Sequence, residues 1–348
     1  MKKIAVLFFF FVLFCVSAVV AKEFRVGVLY WSMNIPGQVA MRNGLENELS
    51  RINSSAAATG EATVILDARV AGDGNMGIEN QINQMNDLIE AAVDLLIVQP
   101  TDNAALSGPL RKANSAGIPV IAYDQYISGG TLTAYRTSDN YQAGYLDGEY
   151  IASRFAKEKE IQIILVEYPH VSSTVERVNG FLDALNKSEQ KYRIVKTYQA
   201  IEPVSGKKAG EDILRDFSKK GSVDVVFTVN DGGGLAVVDV LASAGRSEIL
   251  VATIDGDPLS IENIRAGRLT VIDSAQYCGP LGAETMRAAY SVLRGEKPPY
   301  HALVPVFPIT TETLERYHGW AGPVAEDFIK PWKSSSPEWQ GSLKVVHQ

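Results

Sequence analysis

Two stretches of this chain repeat one plan and together predict its fold. The first opens on Asp94–Asp102 (DLLIVQPTD) and, after a helical segment and Gly117, reaches a strand that ends at Asp124. The second opens on Asp224–Asp231 (DVVFTVND) and, after a helical segment and Gly245, reaches a strand that ends at Asp255. The glycines suit helix C-terminal caps, which need a left-handed residue. Each copy therefore predicts one α/β lobe.

Short runs of apolar and β-branched residues recur along the whole chain. The runs are Val26–Tyr30, Val64–Leu66, Leu95–Val98, Val120–Tyr123, Ile161–Val166, Val223–Thr228, Ile249–Ile254 and Leu269–Ile272. Continuous apolar runs suit strands that are buried on both faces, as in parallel sheets. The segments between them, such as Gln38–Leu49 and Glu79–Ala92, carry apolar residues at helical spacing. This alternation predicts an α/β fold of two similar, doubly wound parallel-sheet lobes.

Polar side chains follow strands at corresponding places in both copies. They are Gln99 and Asp124 in the first copy, and Asn230 and Asp255 in the second. Ligands of open α/β sheets bind beyond the carboxyl ends of strands, and clefts between domains favour small molecules. If the lobes face each other, these groups share one cleft. Alternatively an aspartate caps the next helix or makes a turn, which we favour for Asp102 and Asp231.

Residues 1–21 have the pattern of a secretory signal peptide. Lys2 and Lys3 precede an apolar run from Ile4 to Val16, and small residues lead to Ala21. The run is shorter than the ~20 apolar residues that a membrane span needs. We therefore expect cleavage near Ala21 and a mature chain in the periplasm. A lipoprotein signal around Cys15 is the alternative.

The acidic composition and the few cysteines narrow the possible partners. The 348-residue chain has a formal net charge of −7, whereas nucleic acids and anionic membranes bind basic surfaces. We therefore expect neither as a partner. The length exceeds one ordinary core and predicts two domains. Signal cleavage would leave Cys278 as the only cysteine, either as a reactive thiol or, as we favour, as a packed hydrophobe.

The motifs for cofactors, metals and catalysis are weak or missing. Gly72–Gly77 (GDGNMG) matches G-x-G-x-x-G, but Ala68–Ala71 separate it from the preceding strand. A glycine-rich surface or cleft loop is therefore favoured over a nucleotide site. The four histidines have no metal-ligand spacing, and no nucleophile-elbow motif is present. We expect no cofactor, no metal and no catalytic residue.

Aromatic residues near the predicted strand ends are candidates for a ligand shelf. Trp31 directly follows a predicted buried strand and is favoured, because aromatic faces pack against the C–H surfaces of sugars. The other shelf candidates are Tyr30, Tyr123, Tyr168 and Tyr277, and Asn34 is a polar candidate close to Trp31. Core packing is the alternative role for each tyrosine.

Several stretches carry a family resemblance through their order and spacing. They are Ile118–Gln125 (IPVIAYDQ), Ser138–Gly144 (SDNYQAG), Arg177–Phe181 (RVNGF), Asn230 with Asp231, Thr253–Pro258 (TIDGDP), Ile264–Leu269 (IRAGRL) and Gln276. Together they resemble the type I periplasmic binding proteins of the ribose-binding class. The resemblance implies a three-segment hinge with crossings near Ser138, Ala275 and Val304. It thus implies an N-terminal lobe of residues 22–138 and 276–304, and a C-terminal lobe of residues 139–275 and 305–348.

The same resemblance implies a ligand site. By match, Asp124 and Gln125 act from the first lobe, Arg177, Asn230 and Asp255 from the second, Gln276 at the hinge, and Gln99 behind them. Carboxylates would accept hydrogen bonds from sugar hydroxyls, and the arginine would donate to sugar oxygens. The chain also departs from the family. Gln125 stands where many relatives carry arginine, Gly37-Gln38 replaces an aromatic pair, and Ile254 replaces a frequent aromatic residue.

The function that the resemblance implies is capture of a small polar ligand by a non-enzymatic, monomeric receptor. A sugar or polyol would be held in the cleft and delivered to the membrane permease of an ABC transporter. One alternative is a sensing protein that presents an autoinducer or a small amine to a sensor kinase or chemoreceptor, and an extracytoplasmic enzyme is another. The segment from Glu312, with Trp320, Trp332 and Trp339, extends beyond a minimal family member, and we expect it to wrap the second lobe.

Overall fold

The computed structural model describes residues 22–346. In chain order its helices and strands are β1 (Glu23–Tyr30), α1 (Pro36–Thr59), β2 (Thr63–Val70), α2 (Gly74–Glu90), β3 (Leu95–Val98), α3 (Ser107–Ser115), β4 (Val120–Tyr123), β5 (Ala134–Ser138), α4 (Asn140–Ser153), β6 (Ile161–Glu167), α5 (Ser172–Lys187), β7 (Tyr192–Gln199), α6 (Pro203–Asp216), β8 (Val225–Thr228), α7 (Asp231–Ser243), β9 (Leu250–Asp255), α8 (Pro258–Arg265), β10 (Thr270–Gln276), α9 (Cys278–Leu293), β11 (His301–Val304), β12 (Val306–Ile309), β13 (Phe328–Ile329), β14 (Glu338–Trp339) and β15 (Lys344–Val346). The signal-peptide prediction for residues 1–21 lies outside the described residues.

Two large sheets form the centres of the two lobes. The first sheet has the strand order β15-β11-β5-β4-β3-β1-β2, and the second has the order β12-β10-β9-β8-β6-β7. Neighbouring strands are parallel except where β15 pairs with β11 and β12 pairs with β10. The strands β3, β4 and β8 are buried on both faces, as helix-covered parallel sheets require. The predicted α/β fold of two doubly wound lobes is confirmed.

The predicted apolar runs all fall on strands of these sheets, and the two predicted helical segments fall on α1 and α2. The strands from β11 onward were not predicted, and neither were β5 and β7 in the earlier part of the chain. β5 (AYRTS) is buried at every position although its sequence is largely polar. Its polar side chains bond to other elements. Thr137 Oγ1, for instance, donates to the Asp124 carbonyl (2.8 Å). β7 is an edge strand with alternating exposed residues. Neither therefore shows a continuous apolar run.

The chain passes between the sheets at three places near the predicted hinge. β5 of the first sheet ends at Ser138, just before α4 of the second lobe begins. β10 of the second sheet ends at Gln276, just before α9, which packs on α1. β11 of the first sheet and β12 of the second are separated only by Pro305. These short connections are the three segments of the hinge.

The end of the chain differs from the prediction. Residues 305–348 were expected to lie wholly in the second lobe, but β15 pairs antiparallel with β11 in the first sheet. The reason is that β11 would otherwise be an open edge with unpaired backbone groups. An ion pair between Lys344 Nζ and Asp139 Oδ2 (2.6 Å) also joins this strand to the start of α4 in the second lobe. Likewise Gln276, expected at the start of a first-lobe segment, is the last residue of β10.

Two smaller observations concern membranes and the free cysteine. Within residues 22–346, no helix combines the length and the apolar character that crossing a bilayer requires. Cys278 is fully buried, and burial raises the pKa of its thiol well above the ordinary value. The favoured interpretation of Cys278 as a packed hydrophobe is confirmed, because a buried neutral thiol is a poor nucleophile.

Candidate functional site

A pocket with a cavity volume of about 40 Å³ lies between the lobes, where strands of both sheets end. Seven of the predicted site residues line it: Trp31, Asp124, Gln125, Arg177, Asn230, Asp255 and Gln276. Their convergence follows from the topology, because parallel strands in each lobe bring their carboxyl ends to one edge. Their role in binding a ligand stays a prediction.

Asp124 is the charged group that the first lobe contributes. It follows β4 and has φ +64°, a left-handed conformation that few residues other than glycine adopt. Gln99 Nε2 donates to its carboxylate Oδ2 (2.9 Å), and Thr137 Oγ1 donates to its carbonyl oxygen. The side chain is thereby fixed toward the cavity by neighbours on both β3 and β5.

The second lobe contributes a network around Asp255. Arg177 Nη1 donates to Asp255 Oδ1 at 3.1 Å, and Gln276 Nε2 donates to the same oxygen at 2.5 Å. Arg177 is itself held by Asn140 Oδ1 (3.0 Å to Nε) and by the carbonyl of Val229 (2.7 Å to Nη1). Within residues 22–346, its Nη2 has no hydrogen-bond partner and is therefore available as a donor.

Burial changes the electrostatics of both acids. Burial raises the pKa of Asp124 above its ordinary value, and hydrogen bonding from Gln99 and the positive charge of Arg177 only partly oppose this. Burial likewise raises the pKa of Asp255, with the charge of Arg177 as the largest opposing influence. A ligand with several hydroxyl groups would replace the lost hydration, because a carboxylate accepts from more than one donor.

Gln125 and Asn230 line the cavity, and both side chains also form hydrogen bonds within the protein. Gln125 Oε1 accepts from the Ser173 amide (3.3 Å). Asn230 is the N-cap of α7, where its Oδ1 accepts from the Gly233 amide (3.1 Å), and its Nδ2 donates to the Ile201 carbonyl (2.9 Å). Asn230 therefore both caps α7 and lines the cavity.

Gln99 and Asn34 lie outside the cavity wall. Gln99 is fully buried and acts behind it, bonding to Asp124 and accepting from the Trp31 amide at 3.2 Å. Asn34 is exposed, and its Nδ2 donates to Asp73 Oδ2 (2.7 Å). The expectation that Asn34 faces a ligand is therefore not met by its position, because the chain turns outward before α1 begins.

Of the aromatic candidates, only Trp31 lines the cavity. Tyr30 and Tyr123 are fully buried core residues, and the Tyr30 hydroxyl donates to Glu46 (3.1 Å). The Tyr277 hydroxyl accepts from the Ala325 amide (3.0 Å). Tyr168 packs against His170 with ring centroids 4.9 Å apart. Core packing, the stated alternative, describes Tyr30, Tyr123 and Tyr277, which are fully buried, whereas Tyr168 is only partly buried.

The cavity also has walls that sequence reasoning missed. They come from the start of α1 (Ile35, Gly37, Gln38, Met41), from the region where α5 begins (Val171, Ser173, Thr174) and from Ile201. Each group follows the carboxyl end of a strand, at β1, β6 and β7 respectively. That rule could have identified them, because helices that follow such strands begin at the cleft.

Asp102 and Asp231, the two remaining aspartates of the repeat, were both expected to cap a helix or to make a turn. Asp102 Oδ1 accepts from the amides of Ala104 (2.8 Å) and Ala105 (2.7 Å), which confirms the turn interpretation. Asp231 instead is buried and accepts from Thr253 Oγ1 (2.8 Å) and the Asp257 amide (2.7 Å). It therefore holds neighbouring strand and loop groups rather than capping its own helix, so the interpretation is wrong there.

Hydrogen bonds at the cavity rim join the lobes directly. Besides the bond from Ser173 to Gln125, Ser172 Oγ accepts from the Tyr126 amide (3.2 Å), and Asn103 Oδ1 accepts from the Ser172 amide (3.2 Å). All three reach the first turn of α5 from the first lobe. The structure thus has the lobes closed over the cavity.

The other motifs do not form sites among the described residues. Residues 22–346 contain no group of three or more histidine, cysteine or acidic side chains that could hold a metal ion. In the G-x-G-x-x-G stretch, Gly74 is the first residue of α2, and Asp73 to Met76 are exposed. The stretch lies largely at the surface, as expected, but from Gly74 onward it forms the first turn of α2, so the loop interpretation is wrong for that part.

Comparison with known proteins identifies the family. A model described as "Periplasmic binding protein domain" matches residues 26–297. The chain belongs to the periplasmic binding protein family. The ribose import binding protein of Bacillus subtilis is 29% identical over 279 residues, which cover 79% of this chain and 84% of that protein. The two-lobed fold and the match to ribose-binding relatives make it a type I member.

Solved structures share the fold at lower identity. A solute binding protein of Bacillus halodurans with bound myo-inositol has a TM-score of 0.73 and 22% identity, covering 85% of this chain and 97% of that one. The fructose binding periplasmic domain of a hybrid two component system has a TM-score of 0.71 and 23% identity, covering 83% and 91%. At these identities the likeness establishes the fold.

Proposed function

We propose that this protein is a non-enzymatic periplasmic receptor that encloses a sugar or polyol between its lobes and delivers it to an ABC permease. One observation carries the proposal. Asp124 from the first lobe and the Arg177–Asp255–Gln276 network from the second line the same pocket between the lobes. Such a site binds tightly only when both lobes contribute, so ligand binding and closure are coupled.

The chemistry of the wall suits a ligand with many hydroxyl groups. The carboxylates of Asp124 and Asp255 accept hydrogen bonds, while Arg177 Nη2 donates, so alternating donors and acceptors on a ligand find partners. The face of Trp31 offers an apolar surface for sugar C–H groups. The ribose import relative and the myo-inositol-bound neighbour support the same ligand class.

Delivery to a permease follows from closure. A ligand that contacts both lobes binds the closed form better and shifts the population toward it. The closed form brings the cavity rims of both lobes together, through Gln125, Tyr126 and Ser172. A membrane partner that contacts both rims would therefore distinguish the loaded receptor from the empty one. The match to an import relative supports transport as the outcome.

A sensing role is the second candidate. The neighbour that is a periplasmic domain of a two component system shows that this fold also serves signalling. Many sugar-binding relatives carry an arginine at the position of Gln125 and an aromatic pair at the positions of Gly37 and Gln38. This cavity lacks those three side chains, although it keeps Arg177. A receptor for a small amine would use the two buried carboxylates, whose charge exceeds that of Arg177.

A ligand panel tests both candidates. The protein is purified from the periplasm, and its thermal unfolding and calorimetric binding are measured with D-ribose, D-allose, D-fructose, myo-inositol and choline. We expect at least one sugar or polyol to raise the Tm and to bind without being converted. Binding of choline alone would favour the amine-sensing role and contradict sugar transport. Chemical turnover of a bound sugar would contradict the non-enzymatic role.

A further inference from the structure

The C-terminal segment of residues 310–346 lies outside the matched family region of 26–297, yet the fold holds it firmly. Buried Glu149 of α4 accepts three hydrogen bonds from it: from Lys330 Nζ (2.6 Å), from Trp332 Nε1 (3.2 Å) and from Ser334 Oγ (2.6 Å). Trp339 Nε1 donates to the Val306 carbonyl (2.8 Å). These contacts anchor residues 330–339 on the second lobe, whereas β15 at the end of the segment pairs with the first sheet.

A second set of contacts joins this segment to the ligand site. Trp320 Nε1 donates to the carbonyl oxygen of Asp255 (2.6 Å), and the Tyr317 hydroxyl donates to the carbonyl oxygen of Gln276 (2.8 Å). Asp255 and Gln276 are the two cavity residues whose side chains bond to each other at 2.5 Å. The segment therefore holds the main chain of both partners from behind the cavity.

Trp320 also contacts the first lobe. Its carbonyl oxygen accepts from the Gly279 amide of α9 (2.8 Å). Its indole lies beside Gly37 of α1, where an added Cβ would come within 4.0 Å of Cζ2. Trp320 of the C-terminal segment thus bonds to both lobes next to the cavity. Movement of Trp320 would be transmitted to Asp255.

The backbone at Asp255 needs such support. Asp255 has φ +136°, a conformation that is strained for a residue other than glycine and persists only where its surroundings enforce it. The amide of Gly256 donates to Asp273 Oδ1 (2.9 Å), and the amide of Asp257 donates to Asp231 Oδ2 (2.7 Å). These carboxylates hold the following peptide groups, and Trp320 holds the carbonyl of Asp255 itself.

We propose that Tyr317 and Trp320 are positioning residues of the ligand site, which keep the Asp255 carboxylate and the Gln276 amide aimed into the cavity. The proposal rests on the proposed function and deepens it, since it makes the C-terminal segment a determinant of ligand affinity. The chemical class of ligand is unchanged: a sugar or polyol whose hydroxyl groups reach Asp255. The C-terminal segment determines how well the hydrogen bond between the ligand hydroxyl and Asp255 is formed.

The test compares Trp320→Phe and Tyr317→Phe with Trp339→Phe as the matched control. Each tail variant loses one hydrogen bond to a backbone carbonyl and keeps an aromatic ring. Trp339 donates to the carbonyl of Val306. Val306 pairs with Gln276 between β12 and β10, but Trp339 itself bonds to neither Asp255 nor Gln276, so the control separates loss of a neighbouring bond from loss of the direct ones. Calorimetry with D-ribose and myo-inositol should show about tenfold weaker binding for the first two variants and wild-type affinity for Trp339→Phe.

A second readout needs no ligand. Amide hydrogen exchange of a peptide covering residues 254–260 should be faster in Trp320→Phe than in wild type, and unchanged in Trp339→Phe. If exchange and affinity in Trp320→Phe and Tyr317→Phe match those of the control, the positioning role is wrong. If wild-type protein binds neither probe and no other sugar, the proposed function fails, while the exchange result still decides whether Trp320 holds Asp255.

Discussion

Asp124 and Asp255 share a feature that distinguishes them from the other acids of the chain. Both end or follow a buried strand, both line the cavity, and both have a positive φ, of +64° and +136°. Positive φ at residues other than glycine is uncommon, and such strain concentrates at functional sites. Because the two residues occupy corresponding places in the repeat, each lobe places one carboxylate at the cavity from a residue with positive φ.

Substitution of the charged pair should weaken ligand binding strongly. We expect Asp255→Ala and Arg177→Ala each to cost at least about 2 kcal/mol of binding free energy, because each leaves a buried polar partner unpaired. Isothermal calorimetry with the ligand identified from the panel measures this cost. Arg193→Ala, on the exposed side of β7, serves as a control that should bind as wild type does. Unchanged affinity in both cavity variants would refute this placement of the site.

At the scale of elements, close helix pairs set the position of Arg177. A Cβ on Gly144 of α4 would overlap the carbonyl group of Arg177 on α5, and a Cβ on Gly180 would overlap the carbonyl of Tyr141. The two helices therefore approach each other through their glycines, backbone against backbone. Arg177 lies at this crossing, so the distance between α4 and α5 determines how far its guanidinium reaches toward Asp255.

A methyl group at this crossing should affect both stability and binding. We expect Gly144→Ala to lower the free energy of unfolding by about 1–3 kcal/mol, as overpacking of a dense core does. It should also weaken ligand binding, because α5 must move away with Arg177. Urea unfolding and calorimetry measure the two effects. Gln142→Ala, on the same helix, adds no atoms and should leave both near wild type; a Gly144→Ala protein that matches it would contradict the packing argument.

At the scale of the whole molecule, the second lobe buries a cluster of acids behind the ligand site. The cluster comprises Asp147, Asp231 and Asp273, and Asp255 lies next to it. Burial raises the pKa of Asp273 to about 8 and that of Asp231 well above its ordinary value. Burial likewise raises the pKa of Asp147, whose Oδ2 has no partner among the described residues. The folded protein therefore retains protons that the unfolded chain releases.

The stability of the protein should consequently fall as the pH rises. Unfolded aspartates have a pKa of about 3.9, so stabilisation by the protonated cluster is complete below pH ~4 and is lost as the pH approaches the folded value of about 8 for Asp273. We expect the free energy of unfolding to decrease by at least about 1 kcal/mol from pH 5 to pH 8. Urea titrations at several pH values measure the slope.

Asp273→Asn isolates the contribution of one acid to this slope. The amide oxygen can still accept from Gly256, but the group no longer titrates, so the decline with pH should be shallower than in wild type. Asp87→Asn, at an exposed position of α2, should keep the wild-type slope. Equal slopes in Asp273→Asn and wild type would show that Asp273 does not hold its proton in the folded state.

Much of the architecture could be predicted because its signals are local. The run Leu95–Val98 is apolar at every position and forms β3 with the same bounds, since a strand covered on both faces needs no polar residue. The strand-end positions of Asp124 and Asp255 followed from the repeat, and both acids line one cavity. The sequence did not predict β5 because its polar side chains bond to distant parts of the chain, as Arg136 does to the Pro299 carbonyl and Ser138 to the Gln276 side chain.

What sequence by itself determined is the two-lobed α/β plan and the strand ends at which polar groups gather, because both depend on periodicity and on spacing within short segments. Only the tertiary structure decided which candidates face the cavity. Asn34 turns outward and Tyr123 packs inward, while Gln38 and Thr174 enter the wall. It alone also brought Trp320 behind Asp255, 65 residues away along the chain. Such contacts depend on which faces of distant elements meet, and no local pattern records that.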